Sequence, residues 1–192
     1  MPPKAKFTRE EIVSAAFEMV RADGIECLTA RALGEKLGSS ARPIFTVFGG
    51  MEEIRREVIA AATALYDGYV AKGLAEKLAF KGVGTAYIRF AAEEPKLFNL
   101  LFMKEKDAAT DKDSVLSVLD GNTEKIISSI TDGYGLERDA ARAVYFHSFV
   151  YCHGVAALIS TGVCEFSESQ ISEMLTASFI SFLKKIKESG SL

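Results

Sequence analysis

Proline is scarce in this chain, with four among 192 residues, and no segment alternates apolar and polar residues for long. Strands are therefore not expected. Cysteine is scarce too: Cys27, Cys152 and Cys164 are odd in number and never spaced C-x-x-C. That argues against a disulfide framework and fits a reduced, cytoplasmic protein with buried thiols. The opening Met-Pro-Pro-Lys-Ala-Lys has no apolar core, so no secretory leader is expected. Catalytic signatures are missing as well. G-x-S-x-G, H-E-x-x-H and G-x-x-x-x-G-K-[ST] do not occur, and Gly82-x-Gly84 lacks both a third glycine and a preceding strand. The expectation is a non-enzyme with no cofactor. The two histidines, His147 and His153, fall on different faces of a helix, which argues against a metal site.

Charge of one sign is also lacking. The net charge is −3, which argues against a wholly basic nucleic-acid protein. The distribution is uneven, however: residues 1–50 carry 7 Lys/Arg and 6 Asp/Glu, whereas 51–192 carry 16 and 20. The first quarter is the less hostile face for a polyanion. One stretch, Ala143 to Cys164, has no formal charge and is long enough to span a membrane. Its His147, Ser148, His153, Gly154, Ser160, Thr161 and Gly162 fit better a central helix in a bundle or dimer, so no membrane partner is expected.

What is present is helical periodicity, and the fold class it predicts is all-α. Thr8 and Glu11 form a capping-box signature, after which Ile12, Ala16, Met19 and Val20 line one face until Gly24. Thr29 is placed to cap a short helix bearing Leu33 and Leu37 and ended by Gly38. Ser39 or Ser40 would cap a third helix with Ile44, Phe45 and Phe48, and Pro43 would sit in its first turn. A fourth helix is expected from about Met51 to Lys72, with Ile54, Val58, Ala62, Leu65 and Tyr69 on its stripe. Further helices are expected near 75–93, 95–104, 113–131, 137–161 and 168–187, the last opened by a capping box of Ser167 and Gln170. Gly121 weakens the helix over 113–131, and the polar segment 105–113 reads as a loop. No repeat or low-complexity segment stands out.

Two short capped helices joined at Gly38-Ser39-Ser40 have the layout of a helix-turn-helix, in which the second helix enters the major groove. The wider pattern is more specific. It runs Ile12-Val13-x-Ala15-Ala16-Phe17-x-Met19-Val20, Gly24, Leu28-Thr29-x-Arg31-x-Leu33, Leu37-Gly38-Ser39-Ser40, Ile44-Phe45-x-Val47-Phe48 and Glu52-Glu53-Ile54. Over about 60 residues this resembles the DNA-binding domain of the TetR/AcrR regulators. Phe45 stands where the family usually has a phosphate-binding Tyr, Met51 where it usually has Lys, and Gly34 where Ala is common. The first two departures suggest weaker or more salt-sensitive DNA binding.

The resemblance implies a three-helix helix-turn-helix DNA-binding domain over 1–50, extending to about 67 through the connecting helix. A helical-bundle ligand-binding and dimerisation domain would occupy 51–192. It implies a ligand-responsive regulator, a repressor, that binds a palindromic operator in double-stranded DNA as a homodimer. The DNA-contacting candidates are Lys6, Thr29, Ser39, Ser40, Arg42 and Thr46, with Lys4 and Arg9 beside Lys6 as a tail toward phosphates. Arg42 is the candidate base reader, because a guanidinium pairs bidentately with guanine.

Farther on, Tyr87-x-x-Phe90-Ala91, Pro95-x-Leu97-Phe98-x-Leu100-Leu101-Phe102-Met103 and His153-Gly154-Val155-Ala156-Ala157-Leu158 resemble the Trp-His-Gly class of C-terminal regulatory domain, without its Trp. The implied effector is small and largely apolar, since 86–103 and 143–164 hold few charges. Tyr87, Phe102, Tyr145 and His153 are the candidate lining residues. Helices 137–161 and 168–187 would form the dimer interface, with the stripe Ile171, Leu175, Phe179 and Phe182 covered by the partner. The alternative is a helical interaction protein that keeps the fold without operator binding; an enzyme on the same scaffold is a more distant third.

Overall fold

The computed structural model describes residues 6–104, 111 and 114–188. Lys4 and most of the 105–113 segment lie outside these. The described residues form nine α-helices and two short 3-10 turns, with no strand among them. The helices are α1 (Arg9–Asp23), α2 (Ala30–Lys36), α3 (Met51–Leu74), α4 (Ala79–Glu93), α5 (Pro95–Phe102), α6 (Val115–Leu119), α7 (Thr123–Tyr134), α8 (Arg138–Ser160) and α9 (Glu168–Glu188). The chain packs as two compact units. One holds the residues up to Leu65 together with Lys96–Lys104; the other holds Tyr66–Pro95 and the residues from 105 onward.

In the first unit the local signals act as read. Thr8 Oγ1 accepts the Glu11 N–H at 3.1 Å, and the Glu11 carboxylate accepts the Thr8 N–H at 2.8 Å. Two helix-end donors that would lack partners are thereby satisfied. Ile12, Ala16 and Val20, four residues apart on α1, are fully buried with Leu28, Leu33, Ile44, Ile54, Val58, Leu97 and Phe98. On α3 the buried line is Ile54, Val58, Ala62, Tyr66 and Val70, a steady spacing of four. Leu65 and Tyr69, expected on that stripe, are only half-buried.

The second unit is a bundle in which α8 is central, packed against α4, α7 and α9. α8 is long and apolar enough to cross a membrane, but Ala141, Val144, Tyr145, Phe149, Cys152, Val155 and Ala156 are buried in the bundle. The end of α3 and the start of α4 touch backbone to backbone: a Cβ on Gly73 would lie 2.6 Å from the Gly82 carbonyl oxygen. Only glycine permits that approach.

The single helix expected over 113–131 is divided into α6 and α7. Asp120 between them is extended (φ −139°, ψ 112°), and its side chain accepts the Asn122 N–H at 2.8 Å. This local bond competes with helix continuation, and Gly121 offers little helix propensity against it. The Ser167–Gln170 capping box at the head of α9 is formed in both directions, at 3.2 and 2.8 Å.

Candidate nucleic-acid interface and effector cavity

The helix-turn-helix region is built on α2. Thr29 Oγ1 accepts the Ala32 N–H at 3.2 Å and caps the helix at its start. At its end Gly38 turns left-handed (φ 65°), the Ser39 N–H reaches the Gly34 carbonyl at 2.8 Å and the Gly38 N–H the Glu35 carbonyl at 3.0 Å. This pair of bonds is a Schellman closure, which fixes the chain direction on leaving the helix. Gly34 is itself dictated by the fold. A Cβ there would sit 2.8 Å from the Ser40 carbonyl carbon and 2.9 Å from the Ala41 nitrogen, so the turn rests directly on α2.

The third helix expected after Ser39 and Ser40 is shorter than the sequence suggests. Residues 41–48 form successive tight turns, of which Ile44–Thr46 is a 3-10 turn, and neither serine caps it. Pro43 contributes no N–H, Ile44, Thr46 and Val47 are β-branched, and Gly49-Gly50 follows at once. Too few good helix formers remain to complete two α-helical turns. Ile44 and Phe48 still anchor the segment in the core. Ser40, Arg42, Phe45 and Thr46 face solvent, and Arg42 makes no side-chain hydrogen bond or ion pair among the described residues. Lys6 Nζ donates to Ser39 Oγ at 3.0 Å, so the tail lies beside the turn.

Arg9 differs from the other tail candidates. It pairs with Glu53 at 2.8 Å and with Glu57, and it lies 4.3 Å from the Phe48 ring centroid. That fastens the start of α1 to the start of α3. Glu53 also accepts the Gly49 N–H, and these two partners hold its carboxyl below the usual range.

In the second unit α4, α7, α8 and α9 border a partly open cavity of about 270 Å³ lined by Leu78, Phe80, Lys81, Gly84, Tyr134, Ser148, Cys152, Leu175 and Phe179, among others. A recess of about 30 Å³ shares Phe80, Gly84, Ser148 and Cys152 with it and adds Tyr66, Tyr87, Asp120, Tyr145 and Phe149. Tyr66 Oη donates to Asp120 Oδ2 at 2.8 Å, and Tyr145 Oη lies 3.5 Å from the same oxygen. Burial, reinforced by the Asp120 charge, pushes the hydroxyls of Tyr66 and Tyr145 well up, so both remain donors. Burial likewise pushes the Cys152 thiol up to about 12.

Of the four candidate lining residues, Tyr87 and Tyr145 meet at the recess. His153 stands behind them, its Nδ1 2.8 Å from Tyr87 Oη and its ring stacked on Phe149 at 5.7 Å. Burial lowers the His153 pKa, which favours the neutral imidazole beside that hydroxyl. Phe102 is not among them: it packs in the first unit against Phe98, with ring centroids 5.3 Å apart. The α9 stripe is partly covered within the chain: Ile171, Phe179 and Phe182 are half-buried. Leu175 is buried, Phe179 meets Phe80 and Tyr134 at 5.5 and 4.8 Å, and Phe182 stacks on His147. The apolar side chains left exposed on α8 and α9 are Val150, Leu158 and Ile180. Asp120, Tyr66 and Ser148 went unread in the sequence. Asp120-Gly121-Asn122 carried a turn signal, but nothing local ties it to residues fifty positions away.

A capped helix–turn segment in one unit and a helical bundle with an apolar cavity in the other are the architecture of a helix-turn-helix regulator with a C-terminal helical domain. Residues 80–179 match the family model described as Tetracyclin repressor-like, C-terminal domain. The chain belongs to this family of TetR-like, DNA-binding transcriptional regulators. It is 27% identical over 190 residues to an uncharacterized HTH-type transcriptional regulator, YobS of Bacillus subtilis, covering 95% of this chain and 94% of that protein. A solved TetR family protein from Vibrio parahaemolyticus shares the fold, with a TM-score of 0.58, 14% identity, and coverage of 89% of this chain and 96% of that one.

Proposed function

We propose that the protein is a cytoplasmic repressor that binds an inverted-repeat operator as a homodimer and leaves it when a small effector occupies the bundle cavity. The observation that carries this reading is the partly open, mainly apolar cavity in a chain whose other unit offers, on a braced, solvent-facing turn, an Arg42 without a side-chain partner among the described residues. Residues 1–50 would read DNA and 51–192 would bind effector and dimerise, with α8 a bundle core helix rather than a span. Lys6, Thr29, Ser39, Ser40 and Thr46 would position the head on phosphates and Arg42 would read a base. For dimerisation, Val150, Gly154 and Leu158 recur every four residues along α8, and Ile180 is exposed on α9. A second copy would cover this apolar line. Light scattering should give twice the 20.8 kDa chain mass, and Val150→Glu should return it to one; a monomeric wild type would contradict the arrangement.

A second reading, a helical interaction protein without an operator, draws on one observation. The segment expected to enter the groove is a 3-10 turn with Phe45 exposed where a hydroxyl would reach phosphate. Selection from the host's fragmented genomic DNA separates the two. Enrichment of one inverted repeat supports the regulator; retention of no fragment, or of all fragments alike, supports the alternative.

A further inference from the structure

The recess beside the main cavity is unusual in what it leaves unanswered. Asp120 is 4% exposed, and its carboxylate oxygens are approached by N–H and O–H groups. The Asn122 N–H and Nδ2 reach Oδ1 at 2.8 and 3.2 Å, while Tyr66 and Tyr145 approach Oδ2. The Asn122 N–H groups can only donate, and with the two tyrosine hydroxyls they make a polar lining that suits a carboxylate. Yet no Lys, Arg or His pairs with Asp120 among the described residues. Lys81 lines only the larger cavity, and its ammonium donates to Ser172 Oγ at 2.9 Å. A buried charge held by neutral donors alone is costly, and a cation seated beside it would relieve that cost.

Two further observations point to the same occupant. Ser148 is 7% exposed, lines both the cavity and the recess, and its Oγ has no hydrogen-bond partner. Buried hydroxyls are normally paired, so this one is an open acceptor or donor facing the space. Around it stand Tyr66, Tyr87, Tyr145 and Phe149, whose rings meet within about 5.7–6.3 Å of one another where they pair. A carboxylate with aromatic rings about it is the surrounding in which an ammonium group is stabilised both by charge and by ring quadrupoles. The recess, at about 30 Å³, has room for a group the size of water, as a primary ammonium is.

We propose that the cavity takes a lipophilic primary amine, its ammonium seated in the recess between Asp120 and Ser148 and its apolar body in the larger cavity lined by Phe80, Leu175 and Phe179. This rests on the reading of the cavity as an effector site and narrows its ligand from apolar to amphiphilic and singly cationic. The matching probes are 4-phenylbutylamine, 4-phenylbutan-1-ol and 4-phenylbutyrate, titrated calorimetrically into the purified full chain without DNA. The amine should bind at least about tenfold tighter than the alcohol, and the carboxylate should not bind measurably. Asp120→Asn should erase the amine's advantage and leave the alcohol unchanged. Gly84→Leu, which grows a side chain toward Cys152 and Leu175, should abolish binding of both the amine and the alcohol.

Unmodified protein supplies an independent test. The N,N,N-trimethyl derivative of the amine keeps the charge but is too bulky for the recess, and should bind at least about tenfold more weakly than the primary amine. Equal binding of amine and alcohol, equal binding of the trimethylated amine, or no binding by any probe would overturn the proposal. An amine that binds as expected but leaves operator affinity unchanged would keep the site and remove its effector role. Release of the operator by a neutral or anionic compound, with no amine preference, would do the reverse.

Discussion

All the buried polar or charged residues among the described positions, Glu94, Asp120, Asn122, Thr123 and Ser148, lie in the second unit. The first unit closes around Ile12, Val20, Leu28, Leu33, Ile44, Phe48, Ile54 and Phe98, apolar throughout. On the proposed function the difference separates two tasks. A head presenting Arg42 and its neighbours in one fixed geometry would gain from a dry, tightly packed support. A bundle recognising a small molecule would need polar groups held away from water, at the cost of desolvating them. The same contrast appears in space: the turn after α2 leaves no room for a methyl at Gly34, whereas the bundle keeps about 270 Å³ open.

The largest effect expected from breaking this contrast is in the bundle core. Phe90 is fully buried and meets the rings of Tyr66 and Tyr69 at 5.3 Å each. Phe90→Ala should cost about 3–5 kcal/mol in urea denaturation. A cost under about 1 kcal/mol would mean the bundle is far softer than drawn. In the head, Gly34→Ala forces the turn at Ser40 and Ala41 away from α2. It should cost about 1–3 kcal/mol of stability and weaken operator binding, while calorimetric binding of ligands to the bundle is unchanged. Unaltered operator affinity in that variant would show that the turn is not the reading element.

Arg42→Ala sharpens the comparison on the DNA side. It should cost about 1–3 kcal/mol on the operator and relax preference at one base position per half-site. Uniform weakening on all sequences would make Arg42 a phosphate contact instead. Met51→Lys should tighten binding without changing preference and steepen the salt slope by about one unit; an unchanged slope would place the start of α3 away from the backbone. The smallest effect is a pH dependence confined to the bundle. Burial lowers the His153 pKa, so in the window between its folded value and about 6.5 the unfolded chain binds more protons than the folded one. Stability is then lost as pH falls through that window, when the buried imidazole must take up a charge. Thermal unfolding at about pH 7.5 and 5.5 should show a larger loss for wild type than for His153→Asn; equal losses would remove His153 from the account.

What could be read in the sequence were features whose causes are local. Thr8 with Glu11, Thr29, Gly38 and Ser167 with Gln170 each satisfy backbone groups within a few residues, so spacing alone reveals them. The family resemblance carried the order of elements beyond them. The third helix was over-read because patterning showed Ile44 and Phe48 as a buried pair, which a 3-10 turn satisfies as well as a helix does. The neighbours of Phe102 and Phe179 were hidden for a related reason: periodicity shows that a residue faces other elements, not which one it meets. Asp120 was hidden most deeply, because its partners Tyr66 and Tyr145 come from α3 and α8 and meet only in the folded bundle.

The most direct measurement is the affinity ratio between the inverted repeat recovered from genomic selection and the same fragment with five base pairs inserted between its half-sites, at near-physiological salt. Half a helical turn moves the second half-site to the opposite face of the duplex, beyond the reach of a twofold dimer. If two Arg42-bearing heads read the two half-sites together, the insertion should lower affinity toward the non-specific level, roughly 10³-fold or more. Equal affinity for the two fragments would contradict a dimeric operator-binding regulator.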